Sequence, residues 1–95
     1  MTKKQILNFL KTNKKRFYTN YGITKMAIYG SYAQDKADEN SDIDILIHSS
    51  KKALDTKLLE NELQNHFHKK IDILNEATIL LPTIKKMILR NSIYV

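Results

Sequence analysis

Apolar residues recur along this chain with two different periods, and the switches between them divide it into elements. From Ile6 onward, Leu7, Leu10, Phe17, Tyr18 and Tyr21 keep helical spacing. That spacing predicts one helix, opened by the capping-box run Thr2-Lys3-Lys4-Gln5 and stopped at Gly22. KMAIYG, residues 25–30, is a short β-type run ending at Gly30. One or two helical turns over residues 31–37, starting at Ser31, lead into the polar turn ADENS, and DIDILIH at 42–48 then alternates as a strand. Ser49 or Ser50 is placed to cap a helix whose stripe runs through Leu54, Leu58, Leu59, Leu63 and Phe67. KIDILN at 70–75 is a third strand. A last helix takes in Ile84, Met87 and Ile88 with Pro82 in its first turn, and SIYV at 92–95 adds a short strand.

Strands alternating with helices long enough to cover a sheet predict an α/β (α+β) class, a mixed sheet with helices packed on one face. The 95 residues read as a single domain spanning 1–95. A chain of that size buries somewhat over ~60% of its unfolded surface, enough for one thin core. No apolar run approaches ~18 residues, which excludes a membrane-spanning helix. The opening MTKKQILNFLKTNKK breaks up with polar residues too soon for a secretory signal. Without cysteine there is neither a disulfide nor a zinc–thiolate site, and a cytoplasmic setting is expected. The net charge of +6 favours polyanionic company such as nucleotides, but lysine supplies nearly all of it, the pattern of a solvated surface.

The chemistry is concentrated in YGSYAQDKADENSDIDILI, residues 29–47. Alternation along a strand puts Asp42 and Asp44 on one face and Ile43, Ile45 and Ile47 on the other, and in KIDILN it opposes Asp72 to Ile71 and Ile73. If the two strands are neighbours with matching faces, three carboxylates converge at one sheet edge. Two unit charges ~5 Å apart repel by about 3 kcal/mol at an effective dielectric of ~20. The local sequence provides no arginine to neutralise them. A divalent cation removes that cost, and hard oxygen ligands with positions left open for water and phosphate suit magnesium. Gly30, lacking a Cβ, lets a phosphate approach the backbone, and Ser31 offers a hydroxyl beside free N–H groups. A phosphate cradle facing a metal-binding pair is equipment for phosphoryl or nucleotidyl transfer. Either signal alone is ordinary, since Gly-Ser is common in turns and Asp-x-Asp is often solvated. At fixed spacing the four positions arise by chance in roughly one chain of this length in a thousand.

Gly30-Ser31, ten intervening residues and Asp42-Ile43-Asp44 resemble the signature of the polymerase β-like nucleotidyltransferases. The compactness is similar to the minimal nucleotidyltransferase (MNT) domains, the antitoxins paired with HEPN toxins. The resemblance runs from the leading helix through KIDILN to ILRNSIYV. It implies that Asp42 and Asp44 hold two Mg²⁺ ions, that Asp72 is the third ligand or the base that prepares the acceptor hydroxyl, and that Gly30 and Ser31 hold the outer phosphates of ATP. It also implies transfer of AMP to a hydroxyl, tyrosine foremost, of a partner HEPN toxin. The chain departs from the family after Gly-Ser, where arginines and a further glycine are usual. Tyr32-Ala33-Gln34-Asp35-Lys36 has no arginine, an aspartate stands where that glycine is usual, and Lys36 is the residue available to supply the charge.

Two other functions remain open on the sequence. One is an antitoxin that neutralises its partner by covering it, without catalysis. The other is a transferase subunit for a small molecule or RNA, which would need a companion to grip the substrate. The partner is expected to be a protein, failing which the chain would form a homodimer; nucleic acid and membrane are not expected. His66 and His68, two apart on a helix, face different ways and read as surface or helix-end residues. The five tyrosines read mostly as packing residues, with Tyr29 and Tyr32 beside the signature.

Overall fold

A computed structural model of the chain describes residues 1–51 and 54–95. The first helical stretch is two helices, α1 (Lys3–Thr12) and α2 (Lys14–Tyr21), rather than the single one its periodicity predicts. The capping box forms as expected: Gln5 N–H donates to Thr2 Oγ1 at 3.2 Å, and Thr2 N–H donates to Gln5 Oε1 at 2.8 Å. The break falls at Asn13, whose side chain donates to the Phe9 carbonyl at 2.9 Å. An asparagine amide competing for backbone acceptors in this way interrupts a helix. Leu10 and Phe17 still both reach the core, whereas Tyr18 is turned out and 60% exposed. Gly22 ends α2 in the left-handed conformation (φ 68°), donating its N–H to the Tyr18 carbonyl.

Strand β1 (Ile23–Tyr29) leads into α3 (Gly30–Ala33), a single turn that begins one residue earlier than expected and stops at Gln34. Strand β2 (Ile43–Ser49) is followed by α4 (Lys57–Phe67). Neither Ser49 nor Ser50 caps α4: Thr56 stands at its N-cap, and Ser49 Oγ instead accepts from Lys51 N–H at 3.1 Å. Strand β3 (Ile71–Asn75), a 3₁₀ turn at Glu76–Thr78, α5 (Pro82–Arg90) and β4 (Ile93–Tyr94) complete the chain. Pro82 takes the first turn of α5, where its missing N–H costs nothing.

The four strands form one mixed sheet in the order β3-β2-β1-β4, with β2 parallel to β3 and β1 antiparallel to both β2 and β4. Ile43, Ile45 and Ile47 point to one face and pack with Ile6, Leu10 and Phe17 of the first two helices and Leu59, Leu63 and Phe67 of α4. This is the α+β arrangement that the alternation predicts. Helix α5 stands apart, with no buried residue among its nine. Two cross-links brace the helical layer. Arg16 donates from Nη1 and Nη2 to the two Glu62 carboxylate oxygens at 2.9 and 2.8 Å, tying α2 to α4. His66 stacks on Phe9 with ring centroids 3.7 Å apart, packing α4 against α1.

Candidate active site

The parallel pairing of β2 with β3 decides the geometry. Its register sets Asp44 directly beside Asp72, as it sets Ile43 beside Ile71. Asp42 precedes β2 by one residue and continues the same alternation. The antiparallel register with β1 places Tyr29 opposite Asp44. The face opposite the helical core therefore carries Tyr29, Asp44 and Asp72 side by side across three strands. The predicted convergence of three carboxylates is met by two, Asp44 and Asp72, while Asp42 acts on Asp44 as a nearby charge.

That crowding has electrostatic consequences. The Asp44 carboxyl is pushed above the usual carboxylate range, first by burial, then by the charges of Asp72 and Asp42 and a hydrogen bond shared with Asp72. Burial, followed by the charges of Asp44 and Asp72, pushes the Tyr29 phenol up to about 12, so it stays a neutral donor. Asp42 is better placed: Lys70 Nζ lies 3.8 Å from its Oδ2. A partner absent from the local sequence thus comes from the turn before β3. Both groups are largely solvated, so the pair contributes little to stability.

Gly30 does something the sequence did not predict. Its φ of 69° lies in the left-handed region, and the space its missing Cβ leaves is taken by Asp44. A Cβ there would run into Asp44 Oδ2 and stand 3.1 Å from Cγ. Gly30 therefore lets the Asp44 carboxylate lie against the turn that carries Ser31. The Ser31 hydroxyl makes no hydrogen bond with another described residue, while its carbonyl accepts from Lys36 N–H at 2.9 Å. The Lys36 side chain is exposed. Asp35 has φ 57°, so the aspartate that replaces the usual glycine adopts the left-handed conformation that glycine would favour. It pairs with Lys3 at 2.9 Å.

Asp44 and Asp72, with Asp42 and its Lys70 partner close by, suit a hard divalent ion by chemistry, since all the carboxylate donors are oxygens. Among the described residues no three acidic or histidine side chains are already arranged to hold a metal. Magnesium is commonly held by one or two carboxylates with substrate phosphates completing its shell. The site therefore fits an ion that arrives with a nucleotide better than one held by protein alone.

Sequence reasoning missed a second polar cluster on the same face. Glu76, just past β3 and buried, has Oε1 2.9 Å from His48 Nδ1, and Tyr94 Oη donates to its Oε2 at 3.2 Å. His48 meets the carboxylate at ion-pair distance without a directed hydrogen bond. Burial, then the Glu76 charge, raises the Tyr94 phenol. The cluster fastens β4 to the end of β2. Its one sequence signal was that His48 lies four residues, and so an even number, beyond Asp44 on one strand. Nothing local marked Glu76.

A model of the nucleotidyltransferase domain family matches residues 3–95. The chain is 36% identical over 96 residues, 99% of its length and 98% of the relative's, to "Putative protein adenylyltransferase MJ0126" of Methanocaldococcus jannaschii. It is 29% identical over 97 residues, covering 100% of its length and 97% of the relative's, to protein adenylyltransferase MntA of Thermococcus cleftensis. Among solved structures it superposes with a TM-score of 0.80 on one described as "putative minimal nucleotidyltransferase", at 22% identity, covering 98% of this chain and 95% of that one. A toxin–antitoxin complex with AMP-PNP gives a TM-score of 0.61 at 22% identity, covering 84% of this chain and 61% of that one. These two likenesses are likenesses of fold. No helix among the described residues is long and apolar enough to cross a membrane.

Proposed function

The chain belongs to the nucleotidyltransferase domain family, and from that premise we propose that it moves AMP from Mg·ATP to a hydroxyl, tyrosine foremost, of a partner HEPN-type toxin, which it thereby neutralises. The observation that carries this reading is Asp44, in register beside Asp72 and lying against Gly30 at the turn that carries Ser31. Asp42 and Asp44 would hold magnesium, two ions in the full complex, and the metal would neutralise charge on the phosphates when bound. Ser31 offers its hydroxyl, and Gly30 its backbone, to the outer phosphates; the exposed side chain of Lys36, five residues beyond Ser31, supplies positive charge to them. Asp72, more exposed than Asp44, is reachable by a side chain arriving on another protein. It accepts the proton of the acceptor hydroxyl as that oxygen attacks the α-phosphorus. The new bond is oxygen to α-phosphorus; the bond broken is from that phosphorus to the bridging oxygen, and pyrophosphate leaves.

A protein acceptor is supported by α5. Leu80, Leu81, Ile84 and Met87 are all exposed at or before this helix, interspersed with Lys85, Lys86 and Arg90. Exposed apolar residues collected on one element favour a protein partner. The same surface favours a second reading, in which the chain neutralises its partner by covering it. Intact-mass spectrometry of the partner after incubation with Mg·ATP separates the two. A gain of one or more AMP units, lost in Asp42→Asn and slowed about 10²–10⁴-fold in Asp72→Asn, supports the enzyme. Full neutralisation with no mass gain from any nucleoside triphosphate assigns the chain to the binding reading.

A further inference from the structure

Between the Gly30 turn and α5 lies a cavity of about 200 Å³ lined by Tyr29, Gly30, Gln34, Met87, Ile88 and Asn91. We propose that this cavity receives the nucleobase of the bound nucleotide and that the amides of Gln34 and Asn91 select adenine there. The inference rests on the transferase reading above and adds to it a specificity determinant.

Position comes first. Tyr29 and Gly30 run directly into Ser31, and Tyr29 lies opposite Asp44 in the sheet. A nucleotide with its phosphates between Ser31 and Asp44 has this cavity as the adjoining space. At 200 Å³ it is too small for a whole ligand of ordinary size and suits one ring system. The walls are apolar where a flat ring needs them: Tyr29 on the sheet side, Met87 and Ile88 on the helix side. Met87 is 63% exposed although it lines a cavity, so a ring placed there covers apolar surface that the chain leaves open. A thioether adapts well to such a face.

The polar lining sets the choice of base. A carboxamide presents a donor beside an acceptor. Adenine offers the complementary pair, its N6 donor beside the N7 acceptor, and Asn or Gln bonds it at both points. The corresponding edge of guanine offers two acceptors, N7 and O6, which a cation reads. Neither Lys nor Arg lines the cavity among the described residues. The Gln34 side chain makes no hydrogen bond with another described residue, and Asn91 commits only one Nδ2 proton, to the Met87 carbonyl at 3.4 Å. Both amides are exposed in the free chain and available to a ligand.

The test is a binding measurement on the full chain by calorimetry, with Mg·ATP, Mg·GTP, Mg·CTP, Mg·UTP and magnesium tripolyphosphate as separate probes. ATP is expected to bind tightest. The double variant Gln34→Ala/Asn91→Ala should lower the ATP-to-GTP affinity ratio about tenfold or more while leaving tripolyphosphate affinity unchanged. Met87→Ala should weaken all four nucleotides and again spare tripolyphosphate, whereas Ser31→Ala should weaken every probe. Equal binding of the four nucleotides, or an unchanged ratio in the double variant, overturns the base pocket and leaves the transferase reading in place. No binding of any nucleotide overturns both. The substituted amides are exposed, and an unchanged melting temperature without ligand establishes that the variants are folded.

Discussion

Replacing Asp44 by asparagine is expected to stabilise the metal-free protein and to abolish its response to nucleotide. Asp44 and Asp72 occupy paired positions on adjacent parallel strands, which lie about 4.8 Å apart. At that separation and an effective dielectric of about 20, two full charges repel by about 3 kcal/mol. Asp72 is exposed and Asp44 only partly buried, so water and salt reduce the net cost to about 1 kcal/mol. Asparagine keeps the shape and turns one repulsive oxygen into a donor. For a chain of this size, 1 kcal/mol moves Tm by about 4–8 °C. The sign of the pH dependence follows. An acid whose folded-state pKa is raised detracts from stability above that pKa, and the loss disappears as pH falls through it toward the unfolded value. The advantage of the variant should therefore be present at neutral pH and vanish on acidification. With Mg·ATP at about 100 times Kd the wild type should gain about 2.7 kcal/mol and the variant nothing, reversing their order. Differential scanning calorimetry in chelator, then in Mg·ATP, reads both effects. A variant that melts lower than wild type in chelator, or gains as much from Mg·ATP, refutes the crowded-carboxylate account.

The remaining expectations concern other parts of the chain. Gly30→Ala should lower Tm by at least several degrees, because a left-handed φ costs a non-glycine residue about 1–2 kcal/mol and the new Cβ displaces the Asp44 carboxylate. It should also remove the Mg·ATP shift, and a variant with normal nucleotide response would exclude that role for Gly30. Arg16 holds the Glu62 carboxyl below its ordinary pKa, so this pair stabilises above the unfolded value of 4.5 and is lost as pH falls through the folded one. Glu62→Gln should accordingly cost up to about 1 kcal/mol at pH 7 and progressively less as the solution is acidified below 4.5, read by thermal melts along a falling pH series. Ile84→Asp should leave Tm unchanged, since the side chain is 46% exposed, while abolishing co-purification of the co-expressed partner toxin. Retained complex would place the partner elsewhere.

How much of this was legible in the sequence differs from element to element. The periods of Ile6, Leu10, Leu59, Leu63 and Phe67 and the alternation in DIDILIH were sufficient to name helices, strands and a mixed sheet, because side-chain direction along a single element follows from backbone geometry alone. The Gly30-Ser31 and Asp42-Ile43-Asp44 spacing likewise named the signature, because its residues lie close along the chain. Boundaries were harder. The break at Asn13 depends on one amide taking the Phe9 carbonyl, which competes with an otherwise unbroken helical pattern. What the tertiary structure alone decided is which elements meet. Only the parallel pairing of β2 with β3 puts Asp72 beside Asp44, and only the turn before β3 brings Lys70 to Asp42. The collapse of Asp44 into the space beside Gly30, the Glu76 cluster with His48 and Tyr94, and the cavity under α5 all join residues far apart in sequence. Periodicity states which way a side chain faces on its own element. Which side chain it then faces depends on packing between elements, which no local pattern contains.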